Sequence, residues 1–152
     1  MGWWSDTVLG GDTPLDIVCD LEKTLGIEEL YPVRGCWDDN KRDLLRKAFE
    51  AKWPEVLKHL SDKEHWWSSG DNHSIAIQVV AVIAMAAGAE FPKGFKERAL
   101  KAAEDDEWAN EGDGGRRVRM VELKKAIEAY KPGTPAEVAE KGLMEKIYEV
   151  MG

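Results

Sequence analysis

Only two cysteines, Cys19 and Cys36, stand in this chain of 152 residues. Two thiols make neither a disulfide framework nor a zinc-ligand pattern, and with no export signal they read as reduced thiols in a cytoplasm. Positive charge is also short: 21 Lys and Arg face 29 Asp and Glu, a formal net charge of −8. That balance excludes a generic nucleic-acid binder, which needs clustered cations to neutralise phosphates. The longest apolar run, Ile75 to Ala89, is interrupted by Gln78 and Gly88. It falls short of the ~20 residues that cross a bilayer and reads as a buried core helix. Met1-Gly2-Trp3-Trp4-Ser5-Asp6 lacks the basic and apolar regions of a signal peptide, and Asp6 spoils a myristoylation motif. A soluble protein of the cytoplasm is therefore expected.

What the chain does have is an ordinary globular balance, 43% hydrophobic and 33% charged residues, with seven tryptophans (Trp3, Trp4, Trp37, Trp53, Trp66, Trp67 and Trp108). No segment alternates apolar and polar residues for a useful length, so little sheet is expected. Thr13-Pro14-Leu15-Asp16 marks a helix start with Thr13 as N-cap, and Leu15, Val18, Leu21 and Leu25 continue it to Gly26. A second helix starts at Asp38 or Asp39, and its stripe Leu45, Phe49, Trp53, Val56, Leu60 keeps phase through Pro54, predicting a kinked helix or two collinear ones. The third, about residues 74–87, is apolar all round and should be central. A fourth is expected from Pro92 to about Asn110. A fifth carries Met120, Leu123, Ile127 and Tyr130, and a sixth opens at Thr134-Pro135-Ala136-Glu137 with Met144, Ile147, Tyr148 and Met151 on its apolar face. The reading is one all-α domain over residues 1–152, a bundle of five or six helices with a Trp/Gly-rich N-terminal lead packed on it.

Charge is unevenly spread. Residues 1–35 hold seven acidic and two basic side chains, and residues 74–115 hold eight and four, whereas residues 116–152 are mildly basic. Glu104-Asp105-Asp106-Glu107 falls near an expected helix C-terminus, and Arg116-Arg117-Val118-Arg119 near an N-terminus. Both runs oppose the helix macrodipole. Pairing across the turn Gly112-Asp113-Gly114-Gly115 is the simplest repair, and a solvated network there competes with a partner-binding patch.

Two stretches could carry chemistry. The lead from Gly2 to Asp12 places glycines before a helix N-terminus, but Asp6, Asp12 and Asp16 around it would repel a phosphate. Those carboxylates suit a divalent cation better, while a simpler reading has Trp3 and Trp4 anchoring the lead and Asp12 and Asp16 capping backbone donors. The second stretch is His65-Trp66-Trp67-Ser68-Ser69-Gly70-Asp71-Asn72-His73. Its two histidines and aspartate match no zinc spacing. Asp71 or Asn72 is better placed to cap the central helix, and His65, Trp66 and Trp67 to cover the end of the core. None of the five serines lies in a nucleophile elbow, and the acids beside Cys36 would raise its thiol pKa, so no nucleophile stands out.

Gly2-Trp3-Trp4 followed by Gly10-Gly11-Asp12-Thr13-Pro14-Leu15-Asp16 resembles the opening of a group of small phage-encoded proteins of unassigned activity. The stretches Ala86-Ala87-Gly88-Ala89-Glu90-Phe91-Pro92 and Asp105-Asp106-Glu107-Trp108-Ala109 are similar to that group as well. More distantly the chain resembles a bacterial family with an N-terminal Gly-x-Trp and an Asp-x-x-x-Asp pair at its first helix. The resemblance implies an all-helical fold and a phage or prophage origin, hence a host-cell cytoplasm. It implies no catalytic residues.

The expected role is that of a small acidic accessory protein without catalytic activity, acting on a host protein and not on nucleic acid or membrane, as monomer or homodimer and without a cofactor. Its candidate binding surface comprises Trp3, Trp4, Asp6, Asp12, Asp16, His65, Trp66, Trp67, Asp105, Asp106 and Trp108. One alternative is a divalent-metal-dependent or nucleotide-handling enzyme using the N-terminal aspartates with His65 or His73, Asp12, Asp16 and His73 being the weak metal candidates. Another is a structural or assembly subunit.

Overall fold

In the computed structural model the described residues are 8, 12–28, 38–70, 72–112 and 114–135. Among them there is no strand. Five helices, α1 (Asp12–Leu25), α2 (Asp39–Ser61), α3 (Asn72–Ala87), α4 (Phe95–Glu104) and α6 (Gly114–Ala129), pack with a single turn, α5 (Glu107–Asn110). A 3-10 turn, Trp66–Ser68, joins α2 to α3. The fold is all-α, as the periodicity predicts.

The centre is α3, buried continuously from Ala76 to Ala87, Gln78 included. A helix without a polar face must be covered on all sides, and α1, α2, α4 and the 3-10 turn pack directly on it. Helix α2 presents Leu45, Phe49, Trp53, Val56 and Leu60 to the core and runs unbroken through Pro54. Asp38 caps it, accepting from the Lys41 N–H at 2.8 Å. Helix α1 starts at Asp12, two residues before Pro14, the first helical residue expected with Thr13 as N-cap, and buries Ile17, Val18, Leu21 and Leu25. Of the lead only Val8 is described, and it is buried in the same core.

Glycine is required where α3 ends. Gly88 takes φ +78°, a left-handed conformation that costs L-residues with a Cβ about 1 kcal/mol or more. It lets Gly88 N–H reach Met85 O at 3.1 Å and Ala89 N–H reach Ala84 O at 2.9 Å, a Schellman closure. The exit strip is then held from several sides. Arg42 donates to Ala86 O, Gly133 N–H to Gly88 O, the Tyr130 hydroxyl to Ala89 O and the Trp53 indole to Glu90 O. In this way α2 and the end of α6 are tied to the same backbone segment.

The expected fourth helix from Pro92 to Asn110 is two helices. Gly94, at φ +84°, precedes α4, and the chain breaks at Asp105–Asp106. Asp106 is extended (φ −61°, ψ 111°) and its carboxylate accepts from the Ala109 N–H, so it starts α5 where a continuous helix was expected. The acidic run therefore does not simply oppose a helix C-terminus: Asp106 and Glu107 lie at the favoured, N-terminal end of α5. The sixth expected helix, from Thr134, lies outside the described residues beyond Pro135.

Candidate functional site

Two polar clusters are built into this frame. The first joins α3, α4, α5 and α6. Arg116, in the first turn of α6, is wholly buried, and Asp106 is 3% exposed. Arg116 Nη2 donates to Asp106 Oδ2 at 2.8 Å and its Nε reaches the same carboxylate at 3.2 Å. Gln78 bridges them, accepting from Arg116 Nη2 at 2.8 Å while its own amide donates to Asp106 Oδ2 and to Ala102 O, each at 3.0 Å. The guanidinium also sits 5.0 Å from the Trp108 ring centroid, a cation–π distance.

Burial alone would push the Asp106 carboxyl up. The hydrogen bonds and charge of Arg116, with those from Gln78 and Ala109, outweigh it and hold the group below its ordinary value of 3.8. A buried ion pair whose valences are filled this way is a structural clamp. It repairs the opposed charge runs as the sequence suggested, but inside the core. Outside it, Lys124 pairs with Glu104 at 3.0 Å.

The second cluster lies at the corner between α2 and α3. His59 of α2 and His65 have ring centroids 4.6 Å apart, and both lie against Trp67, at 5.6 and 5.1 Å. Trp67 is fully buried. The next residue back is its opposite: Trp66 is 37% exposed, and its indole donates to Asp20 Oδ2 of α1 at 2.6 Å. His65 Nδ1 accepts the Trp67 amide at 3.2 Å and so caps the 3-10 turn. Ser68 Oγ donates to Asp62 O, and Asn72 Nδ2 to Trp66 O, closing the loop. The Trp67 indole N–H finds no acceptor among the described residues.

Proton affinities follow these surroundings. Burial pushes His59 below the ordinary histidine value, His65 beside it pushes the same way, and Asp20 and Glu55 pull back. Burial, then the neighbouring Arg98, lowers His73. The Cys19 thiol is raised by burial and by Glu22, Asp16 and Asp20, which keeps it protonated and a poor nucleophile.

The candidates named from sequence distribute unevenly over these clusters. Trp3, Trp4, Asp6, Cys36 and Asp71 lie outside the described residues, as does the Asp12 side chain. Asp16 is exposed on α1, on the same helix as Asp20. His65 and Trp66 meet at the corner. Trp67 and Asp106 are buried, committed to core packing and to the Arg116 clamp, so neither forms part of a surface. Asp105 is exposed, and Trp108 is half-buried over Arg116. His73 stands beside a cation, and among the described residues no group of three or more His, Cys, Asp or Glu side chains is placed to hold a metal ion. No helix of the described residues is long and apolar enough to cross a membrane.

Sequence reasoning missed Gln78, His59 and Asp20, and it paired Arg116 with the acidic run without foreseeing its burial. Gln78 had a signal, as the one polar side chain breaking an apolar helix. Arg116 had one in its opposed helix dipole. Compared with protein-family models, curated proteins and solved structures, the chain matches none.

Proposed function

We propose that the protein is a non-enzymatic accessory protein that docks on a basic protein surface through the corner around Trp66. The observation that carries this reading is the exposed Trp66 ring, fixed to α1 by its bond to Asp20. Tryptophan is among the side chains that most often dominate binding energy, and one held in place before contact loses little entropy on docking. The Trp66 indole bonds Asp20, Asp16 is exposed one turn earlier on α1, and the loop before His65 carries exposed Asp62 and Glu64 with Lys63 between them. Such a rim steers a cationic partner toward the anchor. The phage-type resemblance fits an acidic protein that occupies a basic surface of a host factor.

Immobilised protein should capture a basic host protein at low salt. Raising the salt should weaken capture, and Trp66→Ala should abolish it with the fold intact by circular dichroism. Capture that survives Trp66→Ala, or that ignores salt, would count against the reading.

A further inference from the structure

We propose that the His59–His65 pair is an acid-sensitive latch on this corner: neutral, it holds the 3-10 turn closed, and proton uptake from solvent by both rings releases the turn. The argument begins with a tautomer. Because His65 Nδ1 accepts the Trp67 amide, the proton of the neutral ring lies on Nε2. A proton added to His65 must go to Nδ1. The imidazolium then has donors at both nitrogens, and the cap of the turn is lost. The same tautomer leaves His65 no free lone pair for a metal.

The second ring turns loss of the cap into release. The His59 and His65 ring centroids lie 4.6 Å apart with the planes tilted by 36°, so charging both rings sets two cations in contact beside the edge of Trp67. Burial and His65 already favour neutral His59. The other charges on His59 are Asp20 from α1 and Glu55 and Lys58 of its own helix. Asp20 is already engaged by the Trp66 indole. Helix α3, also packed on the turn, carries His73 as its one titratable side chain, and that ring stands beside Arg98 of α4. The loop before His65 carries Asp62, Lys63 and Glu64, all exposed to solvent, and α3 offers no carboxylate to absorb the new charge. The corner is also poised to open, since the Trp67 indole N–H is buried without an acceptor among the described residues, and opening lets water reach it.

Release would free the turn that carries Trp66, so the latch would regulate the docking surface; that consequence rests on the function proposed above, whereas the latch itself is testable without a partner. In the full chain, protection of the Trp67 amide against hydrogen exchange, corrected for intrinsic rates, is followed by NMR across the histidine range of about pH 8 to 5. Protection should fall by at least about tenfold, the equivalent of one pKa unit, while core amides of α3 keep theirs. The variant His59→Phe/His65→Asn keeps a ring and a capping acceptor without titrating, and its Trp67 protection should be flat with pH. The imidazole nitrogens of His65 in the wild type supply a reading independent of any variant: Nε2–H alone at high pH, both nitrogens protonated at low pH. Unchanged wild-type protection while both histidines charge, a His65 proton on Nδ1 at high pH, or an equal pH response in the double variant would overturn the latch. Loss of capture in Trp66→Ala at pH ~8, where histidine is neutral, reads the docking function separately.

Discussion

Arg116 Nη2 lies 2.8 Å from Asp106 Oδ2 with both side chains buried, and this contact joins the starts of α5 and α6. Asp106 both starts α5 and receives the first turn of α6, while Gln78 ties the pair to the central helix. One carboxylate thereby links α3, α5 and α6.

Removing one partner should be far worse than removing both charges. Arg116→Met leaves a carboxylate buried with Gln78 and the Ala109 N–H as its remaining donors, and should cost about 3–5 kcal/mol. Adding Asp106→Asn to that variant removes the stranded charge and keeps a residue that can still cap α5. The second substitution should therefore cost much less on the Arg116→Met background than in the wild type. Urea denaturation of the four proteins measures the coupling, and additive effects would show that the pair is not a unit.

The same clamp fixes the sign of the acid response. Asp106 is held below its ordinary value of 3.8 in the folded protein, so its contribution is complete above that value and is lost as pH falls through the lower, folded value. In Arg116→Met the bonds and charge of Arg116 are gone, Gln78 and the Ala109 N–H remain as the only donors, and burial, the largest single influence, then raises the carboxyl toward its neutral form. The stability gap between wild type and Arg116→Met should be widest near neutrality and shrink on acidification. Urea midpoints taken at a series of pH values test this, and a gap that widens in acid would contradict it.

Helix content was legible because burial leaves a periodic trace. Leu45, Phe49, Trp53, Val56 and Leu60 stand on one stripe and all are buried. The central helix was legible from having no polar side at all. Of the clamp, the pairing of Asp106 with Arg116, ten residues apart across the glycine turn, was legible from the opposed charge runs, whereas Gln78 stands 28 and 38 residues from its two partners, distances at which no periodicity operates. Arginine is also rarely buried unless paired, so its exposure is the natural expectation until Gln78 and Asp106 are seen to meet it. The histidine corner escaped for a related reason: His59 ends a helix and His65 follows a break, so neither helical nor strand spacing links them. What the sequence did show there was the tryptophan pair, of which one ring is core and one is surface.

Tyr130 gives the alkaline counterpart. Its hydroxyl donates to Ala89 O at the end of α3, and burial pushes its pKa up to about 12, Arg46 pulling slightly the other way. A phenolate could not donate that bond, and at this half-buried position it would be only partly solvated. Because the folded value lies above the ordinary 10.0, the contribution of Tyr130 is complete below pH 10.0 and is lost as pH rises through about 12. The chain has three tyrosines. Its ultraviolet tyrosinate titration should include a late step near pH 12 that coincides with loss of helical signal. Tyr130→Phe should remove that step and lower stability near neutrality by about 0.5–1.5 kcal/mol, the net worth of one hydrogen bond. If the wild-type titration finishes near pH 10.0 with the fold intact, the Tyr130 hydroxyl is not held at the α3 exit as the structure places it.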